Sequence, residues 1–217
     1  MRSANRIFIV DDHPLVLNGL RQLIEREPDM EVCGEAGGTE QAISLIRRDI
    51  PHLAIIDISM PDGNGLQLIP RIHSINPVIR ILVSSMHDES LLAERSLKAG
   101  AMGYINKSEA AENVVLAIRT ILDGNIWLSK QMKQQLLPDG KNNGSTADNR
   151  SVECLSNREL EIFDLIGRGM RTGEIADKLS LSVKTVETHR ANIKAKLNLG
   201  SSGELSRRAM QWSLKLE

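Results

Sequence analysis

Along roughly the first 125 residues the apolar positions switch between two spacings. Short, nearly continuous runs, "RIFIV" at 6–10, "MEVCGEA" at 30–36, "LAIID" at 53–57, "IRILVS" at 79–84 and "GYIN" at 103–106, have the length and β-branched content of buried strands. Each is followed by an amphipathic stretch of helical length, at 14–27, 39–49, 65–76, 89–99 and 108–123. Five such pairs predict a five-stranded parallel sheet covered on both faces, because each crossover helix must pack over one face of the sheet. Thr39 and Ser108 are the expected helix caps, and Gly124 the expected stop. A short extension, "LSKQMKQQLL" at 128–137, leads into "PDGKNNGSTADNR" at 138–150, whose turn-forming polar residues predict a flexible linker. Beyond it the period is helical throughout, with helices expected at 157–167, 172–179, 183–197 and 203–213. "SNRE" at 156–159 predicts a capping box between Ser156 and Glu159, and Ser182 is the expected cap of the third helix. The pattern therefore predicts an α/β, five-stranded, doubly wound domain over 1–127, an extension and linker over 128–150, and an all-α four-helix domain over 151–217.

Composition agrees with two modest domains. At 217 residues the chain exceeds the usual span of one core, and its aromatic fraction of 2% suits aliphatic α/β and helical packing. No stretch approaches the ~18 to 20 apolar residues of a membrane span, and "MRSANRIFIVDD" is too short in apolar core for a secretion signal, so a cytoplasmic protein without membrane contact is expected. Cys33 and Cys154 have no Cys or His at metal-ligand spacing and read as ordinary thiols. Charge is uneven: residues 1–149 carry 15 Lys/Arg against 19 Asp/Glu, a balance of -4, whereas 150–217 carry 12 against 9, or +3. Only the second part suits a polyanion.

In an open parallel sheet, functional groups gather where strands end and helices begin. The strand ends here offer Asp11 and Asp12, then Asp57, then Ser84 and Ser85, then Tyr104 to Lys107. Carboxylates held that close stay ionised only with a compensating cation, and an all-oxygen set suits Mg²⁺. With phosphate bound, Lys107 would pair with one oxygen and a serine hydroxyl with another, leaving Asp57 as nucleophile. Taken singly, Asp11 or Asp12 could cap the following helix, Asp57 could be a loop polar group, Tyr104 could be core, and His13 is expected only to start a helix.

"VDDH", "IIDISMPDGNGL", "SSM" and "GYINK", in that order and spacing, resemble the receiver domain of two-component response regulators over residues 5–125, which implies a flavodoxin-like sheet. The resemblance implies that Asp57 accepts a phosphoryl group from a sensor histidine kinase. It further implies that Asp12, supported by Asp11 and sharing the ion with Asp57 and the Ser59 carbonyl, holds Mg²⁺. Lys107 matches the phosphate-pairing lysine, Ser85 the switch hydroxyl and Tyr104 the aromatic that turns inward on activation. Ser59 and His87 fall at positions that tune phosphoryl lifetime in this family.

In the second part, two short helices joined by "SLS" suit a major-groove reader, one helix bracing against the backbone while the other lies in the groove. Val186, Ile193 and Leu197 should face the core, so the opposite face presents Lys184, Glu187, Thr188 and Ala191, flanked by Arg190 and Lys194. Lys184, Arg190, Lys194 and Lys196 are candidate phosphate contacts, Thr185 a phosphate or base contact, and Glu187 and Thr188 candidate base readers. His189 reads as packed. Residues 155–199 resemble the LuxR-type helix-turn-helix, and the whole chain is similar to the NarL/FixJ class of response regulators. That resemblance implies double-stranded DNA as partner, RNA polymerase as a further one, and a homodimer in which Leu205, Ala209 and Trp212 form the contact. An alternative on the same fold is a phosphohydrolase, but that class resembles D-x-D at the nucleophile and here Ser59 stands in the second place. A receiver that no longer takes phosphate is the other alternative, against which the Asp12, Asp57 and Lys107 set argues.

Overall fold

The computed structural model of the chain describes residues 4–60, 63–86, 89–130, 132–133, 152 and 154–213. The expected linker at 138–150, most of the extension before it, and His87 lie outside these residues. Two compact units divide at Asp139 and Gly140.

The first unit runs β1 (Asn5–Val10), α1 (Pro14–Glu25), β2 (Met30–Ala36), α2 (Thr39–Arg48), β3 (Leu53–Asp57), a two-residue hairpin β4 (Ser59–Met60) and β5 (Gly63–Asn64), α3 (Gly65–Ile75), β6 (Arg80–Ser85), α4 (Glu89–Lys98), β7 (Gly103–Asn106) and α5 (Ala110–Leu122). The main sheet is parallel, in the order β2-β1-β3-β6-β7. Chain direction across the sheet reverses between β1 and β3, and at such a point the strand ends leave a crevice for ligands. Period-two alternation divides the strand residues between the faces. Ile7, Ile9, Leu53, Ile55, Leu82 and Ile105 pack with Leu20 and Ile24 of α1 and with Val114, Ala117, Ile118 and Ile121 of α5. Phe8, Val10, Ala54 and Ile56 are equally buried and alternate with that set.

Two expected caps are corrected. Gly38, not Thr39, occupies the N-cap of α2, and Thr39 is the first helical residue, 5% exposed. Ser108 lies two residues ahead of α5, where its N–H and hydroxyl both bond Asn106 Oδ1, and Glu109 takes the cap position. Short polar side chains satisfy a nearby turn as readily as a helix end, and the turn prevails here. Gly124 does end α5, with φ +86 and its N–H donated to Ile121 O at 2.9 Å.

After α5 the chain returns to the sheet edge. Tyr104 N–H donates to Trp127 O and Trp127 N–H to Met102 O, each at 3.0 Å. Leu128 and Met132 are buried, and Ser129 N–H donates to Glu89 Oε1 at 2.9 Å. The exit of this unit is thus held against the β7 edge and the start of α4.

The second unit contains α6 (Asn157–Gly167), α7 (Thr172–Lys178), α8 (Val183–Lys196) and α9 (Ser202–Ser213). Ser156 accepts from Glu159 N–H while the Glu159 carboxylate accepts from Ser156 N–H, completing the expected capping box. Ser182 caps α8 by accepting from Thr185 N–H at 3.0 Å. The turn between α7 and α8 is made by Ser180 in the left-handed region, φ 52. Among the described residues, no helix is long and apolar enough to cross a membrane.

Candidate functional site

The alternation that builds the core also delivers the chemistry. Continuing Ile7, Ile9 by two residues reaches Asp11; continuing Leu53, Ile55 reaches Asp57; continuing Ile105 reaches Lys107. All three emerge on one side at the carboxyl edge, and Lys107 Nζ lies 2.6 Å from Asp11 Oδ2 and 2.8 Å from Asp57 Oδ2. Asp57 Oδ1 accepts from Ser59 N–H at 3.2 Å. Asp12 is on the neighbouring, wetter side, and its Oδ1 is buried without a hydrogen bond. Donor atoms of Asp11, Asp12, His13 and Asp57 all fall within 4.8 Å of one another.

Charge in this pocket is incompletely balanced. Burial pushes the Asp57 carboxyl above its ordinary range, Lys107 opposes that rise, and Asp11 adds to it. Burial acts on Lys107 in the opposite sense to its neighbours: it disfavours the ammonium, but Asp57 and Asp11 hold its pKa above the usual value. Three ionised carboxylates against one ammonium leave two negative charges, the deficit a divalent cation fills. Oxygen donors and an orphaned buried carboxylate oxygen fit a hard ion.

The serine doublet is divided by register. Ser84 pairs with Asp57 across the sheet, and its buried Oγ has no partner. Ser85 is fully buried, and its carbonyl accepts the Lys107 N–H at 2.8 Å. Tyr104 is 1% exposed, already inside the fold.

Two residues at this site were not legible from the sequence. Gly65 opens α3, where a Cβ would stand 1.9 Å from the Asp57 carbonyl oxygen, so only glycine lets this helix start beside the strand end that carries Asp57. A glycine between strand and helix was the available signal. His13 is the other: it starts α1 as expected, but it makes no capping bond, and its Nδ1 lies 3.1 Å from Asp11 Oδ1 and 2.9 Å from Asp12 Oδ1.

In the second unit, Val186 and Ile193 are fully buried and Leu197 partly so, while Lys184, Glu187, Thr188 and Ala191 are exposed and Arg190 and Lys194 are half-buried. Thr188 donates its hydroxyl proton to Lys184 O, leaving the oxygen lone pairs outward as acceptors, whereas the Thr185 hydroxyl is engaged with Ser182 Oγ at 2.7 Å. His189 is half-buried, with Nδ1 sealed from solvent and unpartnered. Lys196 departs from its expected role, since its Nζ lies 2.6 Å from Glu159 Oε2 and ties the end of α8 to α6. The expected dimer stripe also turns inward. Leu205 and Ala209 are fully buried, and Trp212 packs on Phe163 with ring centroids 5.6 Å apart. Spacing at i, i+4, i+7 marks an apolar face without saying what covers it, and here α6 does.

The buried Glu159 carboxylate carries a pH dependence. Burial alone would raise its pKa, but the bonds from Lys196 and Ser156 outweigh that and hold it below the ordinary value. A depressed carboxyl stabilises the fold above its unfolded-state pKa and loses that contribution as pH falls through the folded value. Thermal melts of the full chain should therefore show the helical domain weakening below about pH 4.5, and Glu159→Gln should remove that part of the acid sensitivity.

The parallel sheet with its acidic edge, followed by a helical unit with an exposed polar third helix, defines a receiver domain joined to a helix-turn-helix DNA-binding domain. Residues 7–119 match the family model described as response regulator receiver domain, and residues 153–209 match that of bacterial regulatory proteins, luxR family. The chain belongs to the two-component response regulators, in the NarL/FixJ class, and is a DNA-binding transcription regulator. It is 36% identical to the oxygen regulatory protein NreC of Staphylococcus epidermidis over 96% of this chain and 98% of that protein. It is 35% identical to BvgA of Bordetella pertussis, named a putative positive transcription regulator of virulence factors, over 93% and 94%. Among solved structures, RcsB of Salmonella enterica serovar Typhimurium, bound to promoter rprA in the presence of the phosphomimetic BeF3-, is similar at 26% identity and TM-score 0.61, covering 96% of this chain and 99% of that one.

Proposed function

We propose that Asp57 is the phosphoacceptor through which a sensor histidine kinase controls binding of this protein to promoter DNA. The observation that carries the reading is the Lys107 ammonium seated 2.8 Å from Asp57 and 2.6 Å from Asp11 at the carboxyl edge of the sheet. An Asp57 carboxylate oxygen attacks the phosphorus of a phosphohistidine, the P–N bond breaks, the imidazole leaves with its electron pair and takes a proton, and an acyl phosphate remains. Mg²⁺ held by Asp11, Asp12, Asp57 and the Ser59 carbonyl supplies charge neutralisation for the transferred oxygens. Lys107 exchanges its bond to Asp57 for one to a phosphoryl oxygen, and Ser85 supplies a hydroxyl to another. The new group brings roughly -1.5 to -2 of charge, enough to bias a two-state element. Tyr104 and the α4 start connect that bias to the exit of the domain, because both bond the 127–129 segment.

On the DNA side, Lys184, Arg190 and Lys194 contact phosphate, with Thr185 held in the cap at the helix start. Glu187 and Thr188 face base edges. Lys196 is left out of the DNA contacts because it pairs with Glu159. RcsB is bound to a promoter in the solved structure, which supports the same partner here. A homodimer on paired half-sites suits a helix-turn-helix protein. Phosphodonor treatment with Mg²⁺ should tighten binding of the full chain to duplex DNA. Lys184→Ala should weaken binding to most sequences alike and lower the slope of log affinity against log salt by ~1, as loss of one phosphate contact does. A loss confined to one operator variant would assign Lys184 to base reading instead.

A further inference from the structure

The histidine after the two aspartates has no assigned part in phosphoryl transfer, yet it is placed as a ligand. Two donors on adjacent corners of an octahedron, each about 2.1 Å from the ion, stand about 3.0 Å apart. His13 Nδ1 stands 3.1 Å from Asp11 Oδ1 and 2.9 Å from Asp12 Oδ1. Asp12 Oδ1 has no hydrogen bond despite this proximity. Its lone pairs and the Nδ1 lone pair are therefore both available to a third party. The opposite oxygens, Asp11 Oδ2 and Asp57 Oδ2, are taken by Lys107, so the Oδ1 side is where an ion enters. The imidazole itself is 62% exposed, at the rim, where it can approach or leave without disturbing the core.

We propose that His13 is a direct nitrogen ligand of the divalent ion bound at Asp11 and Asp12, and that it turns a magnesium seat into one that favours a borderline ion such as Mn²⁺. The inference rests on the proposed acidic cation site and adds a donor to it. Mg²⁺ is a hard ion that takes oxygen and retains water, and it gains little from imidazole. Mn²⁺ accepts the same oxygens at similar distances, and imidazole also suits metals further along the divalent series. As a ligand, Nδ1 presents its lone pair and the ring proton sits on Nε2.

The test uses the full chain and the two metals alone. Calorimetric titration should show that His13→Ala lowers Mn²⁺ affinity about tenfold while Mg²⁺ affinity stays within about twofold, in line with the loss expected at a metal site. Electron spin-echo modulation of the Mn²⁺-loaded wild type should show coupling to an imidazole nitrogen, absent in His13→Ala. His13 is exposed enough that the variant keeps its fold, which far-UV circular dichroism checks. Equal losses for both metals would reduce His13 to a residue that positions Asp12, and nitrogen coupling that persists without His13 would also overturn the proposal. Asp12→Asn is the separate control: it should weaken both metals. If the wild type binds neither ion, the acidic site itself fails and the ligand role of His13 fails with it.

Discussion

Asp57→Asn should reduce labelling of the full chain by a radioactive small-molecule phosphodonor to background, and with it any phosphodonor-dependent gain in DNA affinity. The substitution keeps the shape of the side chain and replaces the attacking oxygen anion with an amide, which is not a nucleophile at neutral pH. The loss will not come from unfolding. Burial already holds the Asp57 carboxyl above its ordinary range, so the folded state is an unfavourable place for that charge, and its removal should leave thermal stability unchanged or raise it. Lys107 keeps Asp11 as a partner at 2.6 Å and is not stranded. Persistent labelling of Asp57→Asn would move the phosphoacceptor elsewhere, whereas loss of both labelling and thermal stability would leave the substitution uninformative about chemistry and remove the charge argument. A phosphohydrolase on this fold would instead turn over a phosphoester, and the position where its acid would stand holds Ser59, whose N–H donates to Asp57 Oδ1.

Much of this site could be read from the chain because the sheet makes the reading local. With side chains alternating at a strict period of two, a strand whose core residues are known fixes which residue emerges at its end. Asp11, Asp57 and Lys107 are each that residue, and the parallel order places three strand ends side by side. Helix boundaries in the second unit were legible for a similar reason: Ser156, Glu159 and Ser182 act on backbone within three residues of themselves. Distant pairings left no such mark. Nothing in the spacing of α8 marks Lys196 as the partner of Glu159, thirty-seven residues earlier. The role of Gly65 depends on backbone that approaches it from β3. His13 was read by its place in the sequence, as a helix starter, and its meaning depends on a side-chain direction that sequence periodicity does not give.

Leu205→Ala should destabilise the helical domain by about 2 to 5 kcal/mol, the range for truncating a fully buried leucine. A unit of this size buries a small fraction of its surface and has little stability to spare, so the loss is a large share of the total. Each kcal/mol shifts the midpoint of such a domain by roughly 4 to 8 °C, so the change is visible in a thermal melt of the full chain as an early, separate transition. The packing explains the severity. Leu205 and Ala209 sit on α6, and at Gly167 the two helices approach so closely that a Cβ would stand 2.6 Å from Ala209 O. A cavity between helices held at that distance cannot close by small shifts. Met210, on the same helix but 55% exposed, provides the comparison, since Met210→Ala should stay within about 0.5 kcal/mol. If α9 also joins two copies on DNA, the outward face bearing Ser206 and Met210 is the one available, and Met210→Ala would then weaken dimer formation with stability intact. A Leu205→Ala protein that melts like the wild type but fails to dimerise would return this leucine to the interface and contradict its burial against α6.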